Sequence, residues 1–172
     1  MIVSLLVSVV GPDRPGLVNQ LSRVITDAGG NWEGSRLIQL GGQFAGIVQV
    51  VTREESLAQL RGQLDELAGI GLTVSVIHSE DQAPESERSG EVVVLDVVGQ
   101  DRPGIVAAIS ETLANEGVNV IELATDCRNA PMSGERLFHT TATVSVPASI
   151  DSDELRQRIE EIAGDLMVEI GR

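Results

Sequence analysis

A six-residue segment that occurs twice constrains what this 172-residue chain can fold into. Gly11–Gly16 reads GPDRPG and Gly99–Gly104 reads GQDRPG, and each follows a run of small β-forming residues. From proline to proline the copies lie 103 − 15 = 88 positions apart, and this offset holds as far as Asn31 and Asn119. An internal repeat of this length predicts two similar units of roughly 80 residues each.

Each copy of the segment lies between a predicted strand and a predicted helix. Proline is tolerated in the first turn of a helix, an aspartate just before it can cap free N–H groups, and glycine permits a close approach to the backbone. A helix start that is open to solvent favours an anion such as a ligand carboxylate. The alternative is that the segment is only a good connection between strand and helix.

Hydrophobic periodicity gives the order of elements in the first unit. Gly41-Gly42 indicates a hairpin, and Thr52–Glu55 has the pattern of a capping box. The order β-α-β-β-α-β is that of the ferredoxin-like fold, an α+β architecture with an antiparallel sheet and helices on one face. The predicted elements are a strand Ile2–Val10, a helix Pro15–Ala28, strands Trp32–Leu40 and Phe44–Val51, a helix with Leu57, Leu60, Leu64 and Leu67, and a strand Leu72–Ile77.

The second unit repeats this order after a polar, acidic stretch that predicts a linker. We therefore predict domains at 1–79 and 91–172, joined by a linker at 80–90. Phe44 matches Phe138 at an offset of 138 − 44 = 94, so 94 − 88 = 6 residues are added in the second hairpin. The predicted elements are a strand Glu91–Val98, a helix Pro103–Glu116, strands Asn119–Cys127 and Leu137–Val146, a helix opened by Asp151, and a strand Leu166–Ile170.

The charge of the chain limits its partners. Twelve Lys and Arg residues stand against 26 Asp and Glu residues, which gives a formal net charge of −14. This balance opposes the phosphate neutralisation that nucleic-acid binding requires, so no direct nucleic-acid partner is expected. The apolar start, Met1–Val10, lacks a basic leader and is too short to span a bilayer, and Cys127 has no second cysteine to pair with. We expect a cytoplasmic protein with no membrane partner.

Residues for catalysis are few. His78 and His139 are the two histidines, and neither has a nucleophile or an acid at a recognisable spacing. The segment His78-Ser79-Glu80-Asp81 offers a conceivable set of metal ligands, but a solvated strand end is favoured. The lone Cys127 is read as a structural thiol. The sequence therefore predicts no enzyme, no cofactor and no metal.

Residues for binding a zwitterion are better represented. Asn31 and Asn119 each open the second strand of their unit, and we expect this strand start at the same end of the sheet as the Asp-Arg-Pro-Gly segment. An asparagine amide both donates and accepts hydrogen bonds, so with Asp13 or Asp101 it can hold an α-amino acid. The alternative is that each asparagine merely eases the turn. The arginine of each segment either pairs with a ligand carboxylate or is a solvated surface charge.

These segments resemble the signature of the ACT domain. The family has a DxPG-type turn before the first helix and a Gly-x-Asn-hydrophobic stretch at the start of the second strand. Here the matching residues are Asp13–Gly16 with Gly30–Trp32, and Asp101–Gly104 with Gly117–Ile121. The tandem arrangement and the segment Ala130–Gly134 are similar to the glycine cleavage system transcriptional repressor family.

The resemblance implies a regulatory module that binds a small amino acid where two domains meet. Trp32-Glu33-Gly34 departs from the small aliphatic pair usual in the family, so the first pocket is expected to be altered or closed. By resemblance, Gly11, Asp13, Pro15, Gly16, Leu17 and Asn31 line one site, and Gly99, Asp101, Pro103, Gly104, Ile105 and Asn119 line the other.

The function expected from the resemblance is that of a stand-alone sensor of glycine or a similar amino acid. Such a protein would form a homodimer and act as a repressor by contacting a transcription activator. One alternative is a protein-interaction module with no small-molecule site. An enzyme fragment, such as a ligase or deformylase, is disfavoured because two repeats and a linker account for all 172 residues.

Overall fold

The computed structural model describes residues 1–78, 90–130 and 134–171. The chain divides into two compact units, Met1–Gln82 and Ala83–Arg172. Each unit has an antiparallel four-stranded sheet with helices, which confirms the predicted pair of ferredoxin-like units.

The first unit has the strand order β2-β3-β1-β4. Gly41 and Gly42 join β2 to β3 with φ angles of 58° and 77°, the left-handed pair that suits a two-residue hairpin, so the hairpin prediction is confirmed. Short 3-10 turns, Glu54–Ser56 and Glu66–Ile70, flank the second helix. The elements are β1 Ile2–Pro12, α1 Leu17–Asp27, β2 Asn31–Leu40, β3 Gln43–Arg53, α2 Leu57–Asp65 and β4 Thr73–His78.

The second unit has the equivalent strand order, β6-β7-β5-β8. Asp151 caps the second helix of this unit as predicted, because its Oδ1 accepts the N–H groups of Asp153 at 2.9 Å and Glu154 at 3.3 Å. The elements are β5 Gly90–Gln100, α3 Ile105–Asn115, β6 Asn119–Asn129, β7 Arg136–Pro147, α4 Ser152–Glu160 and β8 Met167–Gly171.

Each unit has its own apolar core between one face of the sheet and the helices. Alternate residues of the central strand point into it, as the period of two in a strand requires. The helices contribute residues at a spacing of four, such as Leu21 with Ile25 and Leu155 with Ile159, all fully buried. The cores fix each helix on its sheet and thereby fix the loop that precedes it.

The predicted capping box before α2 is wrong. Strand β3 continues to Arg53, and Thr52 is buried within it, with its hydroxyl donating to the carbonyl oxygen of Gly29 at 3.4 Å. The helix begins at Leu57 after a 3-10 turn, and its N-cap, Ser56, makes no side-chain capping bond. A buried position in the strand thus outweighed the local capping pattern.

Parts of two predicted features lie outside the described residues. Residues 80–89 of the predicted linker are not among them, and Gly90 belongs to strand β5. In the extended hairpin of the second unit, residues 131–133 are also outside the described part, while Ala130 donates its N–H to the carbonyl of Glu135 at 2.7 Å. No helix within the described residues is long and apolar enough to cross a membrane.

Candidate ligand-binding loops

The two Asp-Arg-Pro-Gly segments have nearly the same backbone. Gly16 and Gly104 are the N-cap residues of α1 and α3, with φ angles of 92° and 86° in the left-handed region that favours glycine. Neither Asp13 nor Asp101 caps the helix that follows it, so that prediction is wrong. Among the residues that the structure describes, no side chain accepts the first N–H groups of either helix.

A buried glycine ends the core-facing part of each central strand. A Cβ atom on Gly11 would lie 2.5 Å from the carbonyl oxygen of Gly71, and one on Gly99 would collide with the Leu166 side chain. The lack of a side chain lets each strand pass beside the connection that leads into the last strand of its unit. Each predicted loop is thereby held at one end of its sheet.

The structure brings the other predicted loop residues together in each unit. Leu17 and Ile105, the first residues of α1 and α3, are buried in the two cores and position the helices. The polar and turn residues before them face solvent. These exposed residues are Asp13, Pro15 and Gly16 in the first unit and Asp101, Pro103 and Gly104 in the second.

The asparagines are not beside these loops, so that sequence expectation is wrong. Asn31 and Ser4 both lie opposite Val51, whereas Gly11 lies opposite Phe44. The seven strand positions between Ser4 and Gly11 correspond to roughly 23 Å at a rise of about 3.3 Å per residue. Helix α1 returns the chain to the other end of the sheet before β2 begins.

The second unit has the same arrangement. Asn119 and Val92 both lie opposite Ser145. Val92 precedes Gly99 by seven positions on β5. Both asparagines are exposed at the start of an edge strand. A ligand held by one of the loops therefore does not reach the asparagine of the same unit.

Trp32 also lies at the end of the sheet remote from its own loop. It is half-buried, opposite Val50, and packs against the first core, so it does not close the Asp13 loop of its unit. Val120 occupies the matching position opposite Val144 in the second unit. An apolar cleft between α3 and β6 extends from Val120 to Phe138, which lies opposite Gly99. Its lining also includes Val106, Ile109, Leu113 and Leu123.

The charges of the second loop are paired within the unit. Arg102 Nη1 lies 2.9 Å from Asp165 Oδ1, and Arg136 Nε lies 2.9 Å from Asp101 Oδ2. Asp165 Oδ2 also accepts the backbone N–H of Gln100 at 2.7 Å. This backbone bond, followed by the Arg102 guanidinium, lowers the pKa of the Asp165 carboxyl.

The first loop has the same backbone contact but not the side chains. Asp13 donates its N–H to the carbonyl of Gly42 at 2.9 Å, just as Asp101 donates to the carbonyl of Arg136 at 2.9 Å. Gly42 is therefore the structural equivalent of Arg136 in the second unit. Within the described ranges, neither Asp13 nor Arg14 has an ion-pair partner.

Sequence reasoning missed a polar cluster on the open face of the second sheet. His139 Nε2 lies 2.8 Å from Asp96 Oδ1, and its Nδ1 lies 4.0 Å from Asp126 Oδ1. Thr141 donates to Asp96 at 3.2 Å, and Arg128 pairs with Asp126. Only sheet register brings these residues together, because they come from three strands. The cluster joins β5, β6 and β7.

The remaining candidates for chemistry lie apart from one another. His78 is the exposed last residue of β4, and the Glu80 and Asp81 considered with it are outside the described residues. Cys127 is an exposed free thiol on β6, not a buried structural one. Over the described part of the chain, no group of three or more His, Cys, Asp or Glu residues could hold a metal ion.

Two ferredoxin-like units, each with an exposed Asp-Arg-Pro-Gly loop ahead of its first helix, define an ACT-type tandem protein. The sequence profile of the ACT domain matches residues 4–76 and 91–125. These segments make up more than half of the chain, and the chain therefore belongs to the ACT domain family.

Known proteins narrow the relationship. The glycine cleavage system transcriptional repressor of Escherichia coli (strain K12) is 26% identical over 164 residues, which cover 94% of this chain and 85% of the repressor. A crystal structure of an unknown protein from Galdieria sulphuraria is 31% identical, covers 99% of this chain and 98% of that one, and has a TM-score of 0.84. A structure provisionally named as a glycine cleavage system transcriptional repressor shares the fold, with a TM-score of 0.70 at 19% identity. The chain is thus related to this repressor.

Proposed function

We propose that this chain is a stand-alone regulatory protein that senses a small amino acid, glycine or a similar one. The observation that carries the proposal is the exposed pair of opposite charges, Asp13 and Arg14, at the head of helix α1. No described residue forms an ion pair with either of them, and the helix start lacks a side-chain cap. Such a loop offers complementary groups to both ends of a zwitterion.

The ligand would be held by its two charged groups. Its ammonium group would lie on the Asp13 carboxylate, and its carboxylate would accept N–H groups at the start of α1 with support from Arg14. Because Asn31 lies roughly 23 Å from the Asp13 loop, by about 3.3 Å per strand residue, an asparagine would reach the ligand from a neighbouring ACT unit. The proposed site therefore needs an assembly of units.

We propose that a second copy of the chain supplies that assembly. Val106, Val120, Ile121 and Leu123 are each between 38% and 47% exposed along helix α3 and edge strand β6. Val106, Val120 and Leu123 line one apolar cleft, and an exposed apolar strip of this kind is typical of an interface. Light scattering coupled to gel filtration would give the mass of a dimer, and Leu123→Asp should reduce it to that of a single chain. A single-chain mass for the unaltered protein would contradict the dimer.

The proposed output is contact with a transcription regulator of glycine or one-carbon metabolism. The relationship to the Escherichia coli repressor supports this output, since that protein's name describes control of the glycine cleavage system. The net charge of −14 makes contact with another protein a better route to transcription than direct binding of DNA. Binding of the amino acid would shift the population of conformers that the partner recognises.

The test of the sensor is a thermal-shift screen against the twenty amino acids. A ligand that binds only the folded protein raises its free energy of unfolding by about 2.7 kcal/mol at a hundredfold excess over Kd, which is a readily measured rise in Tm. Asp13→Asn should abolish the rise, whereas Asp27→Asn, at the other end of α1, should preserve it. A folded protein whose Tm responds to none of the amino acids would refute the sensor function.

The alternative is an interaction module that needs no ligand. The apolar strip on α3 and β6 favours it, because the strip can bind a protein whether or not an amino acid is present. Capture of the transcription regulator with and without the amino acid distinguishes the two functions. The sensor predicts that capture changes with the amino acid, and the module predicts that it does not.

A further inference from the structure

The connections facing the two loops differ at two matched positions, and the loop segments themselves differ at a third. After the insertion in the second hairpin the repeat offset is 94, so Gly42 matches Arg136 (136 − 42 = 94) and Gly71 matches Asp165 (165 − 71 = 94). Strand register supports the second match, because Thr73 and Met167, two residues later in each unit, lie opposite Val10 and Val98.

Each charged residue in the second unit neutralises one charge of the loop. Arg136 forms an ion pair with Asp101, and Asp165 forms an ion pair with Arg102. In the first unit the matching residues are glycines, which have no side chain to offer. In the second loop the Arg136 guanidinium therefore takes the place of a ligand ammonium group, and the Asp165 carboxylate takes the place of a ligand carboxylate.

The third difference explains why Asp165 is well held. Gln100 has a backbone N–H, and Asp165 Oδ2 accepts it at 2.7 Å. The matching residue in the first unit is Pro12, which has no N–H and needs no acceptor. The second guanidinium nitrogen of Arg102, Nη2, is buried and has no hydrogen-bond partner, so this group is turned away from solvent.

We propose that Arg136 and Asp165 are specificity-determining residues that keep the second loop closed to amino acids, so that the first loop is the one that responds. This inference rests on the proposed function. It also reverses the sequence-based expectation that the first pocket is the altered one. Arg136 and Asp165 already form ion pairs with the two charged side chains of the second loop. A ligand at that loop must therefore displace both ion pairs.

The experiment is a glycine titration of the uniformly ¹⁵N-labelled full chain, followed by NMR at the amides of Gly16 and Gly104. If glycine produces no shift, the amino acid with the largest thermal shift replaces it. The test variant is Arg136→Gln with Asp165→Asn, because an asparagine oxygen still accepts the Gln100 N–H. The control variant is Arg156→Ala with Asp153→Ala, which removes the same pair of charges from the exposed face of α4.

In the unaltered protein, the Gly16 amide should shift and saturate, while Gly104 should respond with an affinity at least roughly tenfold weaker. The test variant should strengthen the response at Gly104 by at least about tenfold, to near that of Gly16, and the control variant should not. If the test variant does not give the dispersed spectrum of a folded chain, Arg136→Ala alone takes its place.

Two results overturn the inference and leave the sensor in place. One is that the Gly16 and Gly104 amides of the unaltered protein report equal affinities. The other is that, in the folded test variant, the Gly16 amide shifts with the amino acid and the Gly104 amide does not. If neither amide responds to any amino acid in the unaltered protein or the variant, the sensor function fails and the inference fails with it.

Discussion

The two Asp-Arg-Pro-Gly loops share a backbone but differ in what faces them. Both turn through a glycine with a φ angle near 90°, and both donate the aspartate N–H to a carbonyl at 2.9 Å. The first loop faces two glycines, and the second faces Arg136 and Asp165. A repeated motif therefore preserves a shape, while residues outside the motif set its charge.

This difference also changes how the two loops are held. The first loop has no ion pair among the described residues, and Gly11 packs on the carbonyl of Gly71 and on Leu72. The second loop is also supported by ion pairs, Arg102–Asp165 and Asp101–Arg136. The four predictions that follow test this comparison, from the largest expected effect to the smallest.

The largest effect is expected from adding a methyl group to the buried glycines. Gly11→Ala places a Cβ 2.5 Å from a backbone oxygen that cannot rotate away, so it should lower the free energy of unfolding by roughly 2–3 kcal/mol. Gly99→Ala meets the ends of the Leu166 and Asp165 side chains, which can move, and should cost about 1 kcal/mol. Urea unfolding followed by circular dichroism measures both, with Trp32 fluorescence reporting the first unit. A larger loss for Gly99→Ala would contradict the comparison.

The N-cap glycines should respond equally. Gly16→Ala and Gly104→Ala each force an L-residue into the left-handed region, which costs about 1–2 kcal/mol. A Cβ at either position meets nothing within 4 Å, so only backbone strain contributes. Urea midpoints of the two variants should agree. A difference of more than about 0.5 kcal/mol, the usual limit of additivity between distant sites, would show that the two backbones are not alike.

Acid should weaken the second loop. The folded-state pKa of Asp165 is lowered, first by the Gln100 N–H and then by Arg102, so its contribution to stability is present above the unfolded pKa of about 4 and is lost as the pH falls through the folded value. Asp165→Asn should therefore be less stable than the unaltered chain at pH 6, and the difference should shrink as the pH falls below about 4. Thermal unfolding across this range measures the difference. A difference in stability that did not change with pH would show that the ionised Asp165 carboxylate does not stabilise the fold.

The smallest effect is expected from Arg136→Ala. Its side chain is 67% exposed, and ion pairs this exposed contribute about 0–1 kcal/mol. The urea midpoint should therefore change little, although Asp101 is freed. If the free energy of unfolding fell by well over about 1 kcal/mol, the main role of Arg136 would be to stabilise the hairpin and not to pair with the loop.

Much of the fold followed from the sequence because its signals are local. The repeat at an offset of 88 gave two units, and Gly41-Gly42 gave the hairpin. Helix starts were less well predicted. Proline and aspartate indicated helices from Pro15 and Pro103, but each helix begins two residues later, after the glycine that makes the turn.

The placement of the asparagines required three-dimensional reasoning. Helix α1 has 11 residues, about 16 Å at 1.5 Å per residue, and it carries the chain back along the sheet before β2 starts. Asn31 consequently lies at the far end from Gly11. The sequence also contained a signal for the closed second loop, because the offset of 94 after the insertion pairs Gly42 with Arg136 and Gly71 with Asp165. That signal has meaning only when register shows that these residues face the loop.

The most direct test of the account is the number of amino-acid molecules that one chain binds. Calorimetric titration of the unaltered protein with glycine, or with the amino acid that gives the largest thermal shift, should saturate at one molecule per chain, at the loop of Asp13 and Arg14. Two equal sites per chain would contradict the difference between the loops, and no binding by the folded protein would contradict the sensor.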